Sequence, residues 1–222
     1  MNSQRFDADR RRPQLSWMAK PRPTGPRLLV LVLHGGRARG EGPVRRSQLA
    51  YLRMVQFASR LAGACRGENV AVALLRYRRR GWNEPHQDPV LDTLWAIERL
   101  RARFPGVPVA LVGHSMGGRV ALRLAAEPDI RAVCALAPWI EPGEPMAQLA
   151  GRTILLVHGD RDRWTDAAAS RRFAESAGVS WLSVPGSGHA MLRRSSRWVG
   201  LVLEFLADVI ALTSLRIEQC QR

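Results

Sequence analysis

The chain has 222 residues and a mass of 24.7 kDa, enough for one domain or at most two small ones. Roughly 70% of the unfolded surface can be buried at such a length, so neither a metal nor a disulfide staple is required. With 46% hydrophobic and 24% charged residues, the composition excludes disordered, collagen-like and fibrous chains.

The formal net charge is +15, and Lys20 is the only lysine among 34 basic residues. Clustered arginines can form a footprint for phosphates, but here the cations are scattered as singles and pairs, apart from Arg10-Arg11-Arg12 and Arg78-Arg79-Arg80. Nucleic acid is therefore not expected as a partner, and Arg78 to Arg80 read as a solvated face, the alternative being a site for an anionic acyl substrate such as a carboxylate or a phosphopantetheine group. Cys65, Cys134 and Cys220 are odd in number and far apart, with no CxxC spacing, which argues against a disulfide framework or a structural zinc. A reducing, cytoplasmic setting is the expectation.

Residues 1–26 read as a basic, disordered leader. The arginine triplet at 10–12 resembles an export signal, but no apolar region follows it, and Met18 is a candidate start. Leu28–Leu33 (LLVLVL) is a continuous aliphatic run, as expected of a strand covered on both faces. Residues 47–62 read as a helix with Leu49, Leu52, Met54, Val55, Ala58 and Leu61 on its apolar face, followed by a strand at Val70–Leu75. Asp88-Pro89 reads as an N-cap with proline behind it, opening a helix with an apolar stripe of Leu91, Leu94 and Trp95.

Val107–Val112 is the next strand, closed by Gly113, and Met116–Ala126 an alanine-rich helix ended near Pro128. Strands at Val133–Leu136, Thr153–Val157 and Val179–Val184 and helices at about 165–177 and 191–214 complete the chain, with residues 216–222 as a tail. The last apolar stretch, Gly200 to Leu215, contains Glu204 and Asp208 and falls short of the roughly 20 apolar residues of a membrane span. The alternation predicts an α/β fold, a mostly parallel sheet of about six strands with helices on both faces, and places ligand chemistry in the loops at the carboxyl ends of the strands. Residues 140–152 are the only candidate for a lid, and they are few.

Gly113-His114-Ser115-Met116-Gly117 is a G-x-S-x-G motif between a strand and a helix. A serine on so tight a turn is strained, and glycine on either side keeps the neighbouring backbone from crowding it. Together with HGG after LLVLVL, HGDRD after TILLV and GSGHA near the end, GHSMGG resembles the α/β-hydrolase fold family over residues 27–212, in the family order of nucleophile, acid and histidine. Among its members the chain looks most like small lidless esterases and dienelactone-hydrolase-like proteins. It carries serine where dienelactone hydrolases have cysteine, and it is expected to lack the first two antiparallel strands of larger members. Arg37 after the HGG separates it from the hormone-sensitive-lipase pattern.

The resemblance implies that Ser115 is the nucleophile and His189 its base, because a free hydroxyl needs an adjacent imidazole. Of the other histidines, His34 and His158 are expected to shape loops, His114 lies inside the elbow, and His86 departs from the family order. The acid is Asp162 by the family spacing, with Asp160 as the alternative and Asp166 also following the same strand. Its task is to accept the second N–H of the histidine. The oxyanion donors implied are the backbone N–H groups of Met116 and Gly36, with Gly35 competing for the latter place.

Arg76, Tyr77, Gly81, Trp82 and Asn83 follow one strand, and Trp139 and Trp164 follow others. Arg76, Tyr77, Trp82, Trp139 and Trp164 are accordingly candidate pocket residues. The implied activity is acyl transfer to water from a small-molecule carboxylic ester, the alternatives being a thioester or a non-catalytic binding role. No cofactor, metal or membrane partner is implied. An aspartate would be expected at position 115 for halide or epoxide chemistry.

Overall fold

The computed structural model describes residues 12–22 and 24–220, and side chains as far as Thr213. Seven strands form one sheet: β1 Gln14–Ala19, β2 Leu28–Leu33, β3 Val70–Arg76, β4 Val109–His114, β5 Ile130–Leu136, β6 Thr153–Gly159 and β7 Ser180–Val184. Their spatial order is β1-β3-β2-β4-β5-β6-β7, parallel throughout except for β1 against β3. Among the described residues, five α-helices cover it: α1 Leu49–Ala64, α2 Asp88–Arg103, α3 Met116–Arg123, α4 Ala167–Ala177 and α5 Ser195–Cys220. Strands β2 to β5 are buried almost end to end, which explains why they read as aliphatic runs and not as alternating ones.

The chain leaves β2 toward β3 on one side and then crosses to β4 on the other. Loops following β2 and β4 therefore diverge in opposite directions and leave a crevice at the strand ends. Both the HGG turn and the G-x-S-x-G turn lie there.

Several expectations need correction. Residues 14–19 lie in the stretch read as a disordered leader, yet they form β1, paired from Gln14 with Arg76 to Ala19 with Val72. One antiparallel strand is thus present. An edge strand needs only one partner's backbone, and Leu15, Trp17 and Ala19 supply the inward contacts. A start at Met18 would remove Gln14 to Trp17 from this pairing. Arg10 and Arg11 of the arginine triplet lie outside the described residues.

Helix α1 buries Tyr51, Met54, Phe57, Ala58, Leu61 and Ala62, whereas Leu49 (77% exposed) and Leu52 face outward. On α2 the buried stripe runs through Pro89, Asp92, Thr93, Ala96, Ile97 and Leu100, rotated from the Leu91–Leu94–Trp95 stripe. Arg78 causes the rotation. Its Nε donates to Asp92 Oδ1 at 2.5 Å and its backbone N–H to Oδ2 at 2.7 Å, so a buried polar residue occupies the inward face. Arg78 is correspondingly buried, with Asp88 Oδ1 3.6 Å away, and is not part of a solvated face. Asp88 is the first helical residue, and Gln87 is the N-cap. Burial pushes the Asp92 carboxyl up to about 6 despite the opposing pull of Arg78.

Cys65 and Cys134 are free and buried; the Cys220 side chain lies outside the described residues. Among the described residues no helix is long and apolar enough to cross a membrane.

Candidate active site

Ser115 caps the N-terminus of α3 with φ 56° and ψ −119°, a left-handed conformation that non-glycine residues enter only at a cost. The surrounding glycines make the turn possible. A Cβ on Gly113 would lie 2.2 Å from the carbonyl oxygen of Gly117, and one on Gly117 2.6 Å from that of Leu33. The turn is also stitched to its neighbours, with the Ser115 N–H donating to Leu136 O at 2.9 Å and the Trp139 N–H to Ser115 O at 3.3 Å.

His189 follows β7 and turns its ring toward this serine. Its Nε2 is 3.0 Å from Ser115 Oγ, and its Nδ1 is 2.8 Å from Asp162 Oδ2. The three residues lie on separate loops at the carboxyl ends of β4, β6 and β7, and they form one continuous hydrogen-bonded chain. A carboxylate can only accept, so Nδ1 carries the proton and Nε2 is left to accept from the serine hydroxyl. Asp162 Oδ1 accepts the Trp164 and Thr165 amides at 2.8 and 3.0 Å. Burial alone would raise this carboxyl, but the bonds from His158, His189 and those two amides outweigh it and hold it well below the usual carboxylate range.

The rival carboxylates are engaged elsewhere. Asp160 Oδ1 accepts the Gly186 amide at 2.7 Å, tying the loop after β6 to the loop after β7. Asp166 caps α4 by accepting the Ala168 amide at 2.8 Å.

The other histidines have distinct places. His114, buried behind His189, donates Nε2–H to the carbonyl oxygen of His189 at 2.8 Å. Burial, His189 and Arg53 bring its pKa down to about 3, against the smaller raising effects of that bond and of Asp162. His34 donates Nδ1–H to Gly35 O at 2.7 Å, and its Nε2 accepts the Tyr77 amide at 3.3 Å. It too is neutral, with burial lowering its pKa to about 4. His158 Nε2 reaches Asp162 Oδ2 at 3.2 Å, a contact that the loop-shaping expectation did not contain. His86 is exposed on the loop before α2.

Gly36 sits where a Cβ would meet Met116 Sδ at 2.5 Å and Arg80 O at 2.6 Å. Among the described residues, no protein acceptor takes the N–H of Gly36 or of Met116. The Met116 N–H opens α3, whose dipole favours negative charge at that end.

A cleft of about 480 Å³ opens beside His189, lined by Trp164, Met191, Leu192 and four arginines, 53, 161, 163 and 193. Of the five residues expected to line a pocket, Trp164 lines this cleft; its indole, 84% exposed, stacks on His189 at 5.7 Å and 13°. Tyr77 and Trp82 are core residues. Arg76 binds Val44 O at 2.5 Å and Gln14 Oε1 at 2.6 Å. Trp139 and Trp82 meet edge to face, and the Arg119 guanidinium packs against both, 4.5 and 4.3 Å from their ring centroids.

Arg119 pairs with the buried Glu144 at 2.8 Å, and Arg123 joins the same carboxylate. Residues 140–152 are thereby strapped to α3 and do not form a lid. Thr165, which no motif flagged, places Oγ1 2.8 Å from Asp162 Oδ2 and 3.1 Å from His189 Nδ1; only its position three residues after Asp162 hinted at it. Among the described residues, no group of three or more His, Cys, Asp or Glu side chains is arranged to hold a metal ion.

The sequence matches the alpha/beta hydrolase fold family over residues 71–204, more than half of the chain. The chain belongs to that family. Its curated relatives include the monoglyceride lipase of Homo sapiens, 32% identical over 111 residues, 48% of this chain and 33% of the lipase. The matched stretch thus covers about a third of the length of that relative.

Similar folds occur in XC6422 from Xanthomonas campestris, described as an a/b serine hydrolase without lid (TM-score 0.66, 18% identity, 88% of each chain). They occur also in Est1E from Butyrivibrio proteoclasticus (0.63, 17%, 90% of this chain and 94% of that one). A third example is the monoacylglycerol lipase of Paleococcus ferrophilus (0.61, 16%, 90% and 100%).

Proposed function

We propose that the protein is a serine hydrolase that cleaves a small carboxylic ester through an acyl-enzyme. The observation that carries this reading is the hydrogen-bonded chain Ser115 Oγ–His189 Nε2–His189 Nδ1–Asp162 Oδ2, at 3.0 and 2.8 Å, on a strained turn at the N-terminus of α3. Ser115 Oγ attacks the ester carbonyl carbon while its proton passes to His189 Nε2. Asp162, held as a carboxylate, keeps Nδ1–H oriented and stabilises the imidazolium.

The oxygen that becomes negative is met by the unengaged N–H groups of Met116 and Gly36. Such donors are worth roughly 3–4 kcal/mol each because they are already oriented before charge develops. His189 then gives its proton to the leaving alcohol. Water, deprotonated by the same Nε2, attacks the acyl-enzyme and releases the acid and free Ser115. The names of similar proteins, a monoglyceride lipase and the esterase Pf2001 of Pyrococcus furiosus, point to esters in the same direction.

The test is labelling by a fluorophosphonate probe together with hydrolysis of p-nitrophenyl butyrate, comparing wild type with Ser115→Ala. Labelling and turnover that vanish in the variant support the reading. A folded wild type that neither takes the label nor turns over refutes it.

A further inference from the structure

Among the described residues, the two buried arginines are each paired with a carboxylate. Arg78 is paired with Asp92 and Arg119 with Glu144. The cleft beside His189 brings together one half-buried and three exposed arginines without such a partner. Arg53 from α1, Arg161 and Arg163 on either side of Asp162, and Arg193 after β7 converge on it, and no carboxylate is among its lining residues. None of the four has a salt bridge or a side-chain hydrogen bond among the described residues. Of the four, Arg53 carries the strongest sign of a missing partner, because its Nε is buried and unbonded; Arg80 Nε, outside the cleft, is buried and unbonded as well.

A buried donor on a charged group without an acceptor is costly. Four like charges around one cleft repel each other unless an anion joins them. The nearest carboxylate, Asp162, is already committed to two histidines, a threonine and two amides. The rest of the wall is apolar, with Trp164, Met191 and Leu192, the last 73% exposed.

Resting on the hydrolase reading above, we infer that the ester substrate carries an anionic group, phosphate or carboxylate, that seats among Arg53, Arg161, Arg163 and Arg193 next to His189. Guanidinium groups suit this task because their planar N–H forks match the oxygens of phosphate and carboxylate and stay charged at every working pH. The apolar wall accepts the carbon skeleton between that group and the ester. Arg78 to Arg80, where the sequence offered an anion site only as the alternative to a solvated face, are engaged otherwise: Arg78 by Asp92 and Arg79 by Glu41. The cleft arginines come from three separated segments that only the fold brings together.

Two measurements test this. Calorimetric titration of Ser115→Ala with glycerol 3-phosphate, succinate and glycerol reads the anion site without catalysis. The expected result is binding of one or both anions and none of glycerol, weakened at least tenfold by 0.5 M NaCl and by Arg53→Met; the stronger of the two names the phosphate or the carboxylate. Arg163→Gln, at an exposed position, gives the same reading where Arg53→Met does not fold.

In the wild type, kcat/KM for 1-butyrylglycerol 3-phosphate should exceed that for 1-butyrylglycerol by about tenfold or more at low salt. The corresponding pair on the acyl side is a monosuccinyl and a butyryl ester of one alcohol. The excess in the favoured pair should collapse in the arginine variants.

Equal rates within both pairs, or a preference for the neutral ester, overturn the inference. So does binding to phosphatidylglycerol vesicles without binding of either soluble anion, which would assign the arginines to a membrane surface. Anion binding with hydrolysis of no ester and no fluorophosphonate label sustains the anion site and overturns the hydrolase reading instead.

Discussion

His114 donates its Nε2–H to the carbonyl oxygen of His189 at 2.8 Å, so the residue before the candidate nucleophile holds the loop that carries the candidate base. The bond spans 75 positions of sequence and fixes the backbone at the residue whose ring must point at Ser115. It makes His114 a positioning residue. His114→Phe, which keeps the volume and loses the donor, should lower kcat about 10- to 100-fold with little change in KM. His114→Gln, which can restore an N–H to that carbonyl, should recover much of the loss. Equal losses in both variants, or a change confined to KM, would contradict this role.

The three carboxylates after β6 separate by their partners. Asp162→Asn should lower kcat by about 10⁴, since an amide can present an N–H to His189 and favour the wrong tautomer. Asp160→Asn should keep nearly normal kinetics, with a lower melting temperature from the weakened bond to the Gly186 amide. Steady-state kinetics beside thermal melts of the two variants decide the matter, and the reverse pattern would move the acid to Asp160.

Stability should fall on acidification from about pH 6.5. His114 and His34 are kept neutral by burial, with pKa values of about 3 and about 4 against 6.5 when unfolded. Below pH 6.5 the unfolded chain therefore binds protons that the folded chain refuses, and stability declines as pH drops through that window. Asp92 acts in the opposite sense: its pKa of about 6 exceeds the unfolded 3.8, so the folded state gains in the range between them as pH falls. Two histidines displaced further than this one carboxyl outweigh it, at about 1.4 kcal/mol per pH unit of displacement. Asp162, with its lowered pKa, adds a further loss below about pH 4. Urea midpoints should be lower at pH 5 than at pH 7.5, and the difference should shrink in His114→Gln.

Glu144→Ala should destabilise the fold by about 3 kcal/mol, because it leaves Arg119 buried against two indoles without its counter-ion. It should also release residues 140–152 from α3. Calorimetry gives the first effect, and faster hydrogen exchange restricted to that segment gives the second. Unchanged exchange there would show that the strap is held by something other than this carboxylate.

Gly113→Ala would put a methyl 2.2 Å from the Gly117 carbonyl oxygen. The backbone cannot yield without unmaking the turn, so a cost of about 3 kcal/mol or more is expected, together with loss of fluorophosphonate labelling. Gly63→Ala, in the last turn of α1 with open space around it, is the control and should be neutral or slightly stabilising.

Much of this molecule is local and therefore legible in its sequence. Fully buried parallel strands are aliphatic runs because both faces are covered, so β2 to β6 can be read directly. The G-x-S-x-G turn is legible because its strain is relieved only by glycine at two fixed positions, and the order of Ser115, Asp162 and His189 follows from the loops that end three strands.

Tertiary structure decided what depends on partners distant in sequence. Strand β1 exists only because β3 offers it a free edge. The inward face of α2 is set by Arg78 reaching Asp92, against the apolar pattern of the helix itself. Tyr77 and Trp82 follow a strand into the core, while Trp164 turns out over His189. The convergence of Arg53, Arg161, Arg163 and Arg193 has no sequence signature at all, since electrostatics act through space and the chain must fold before those charges meet.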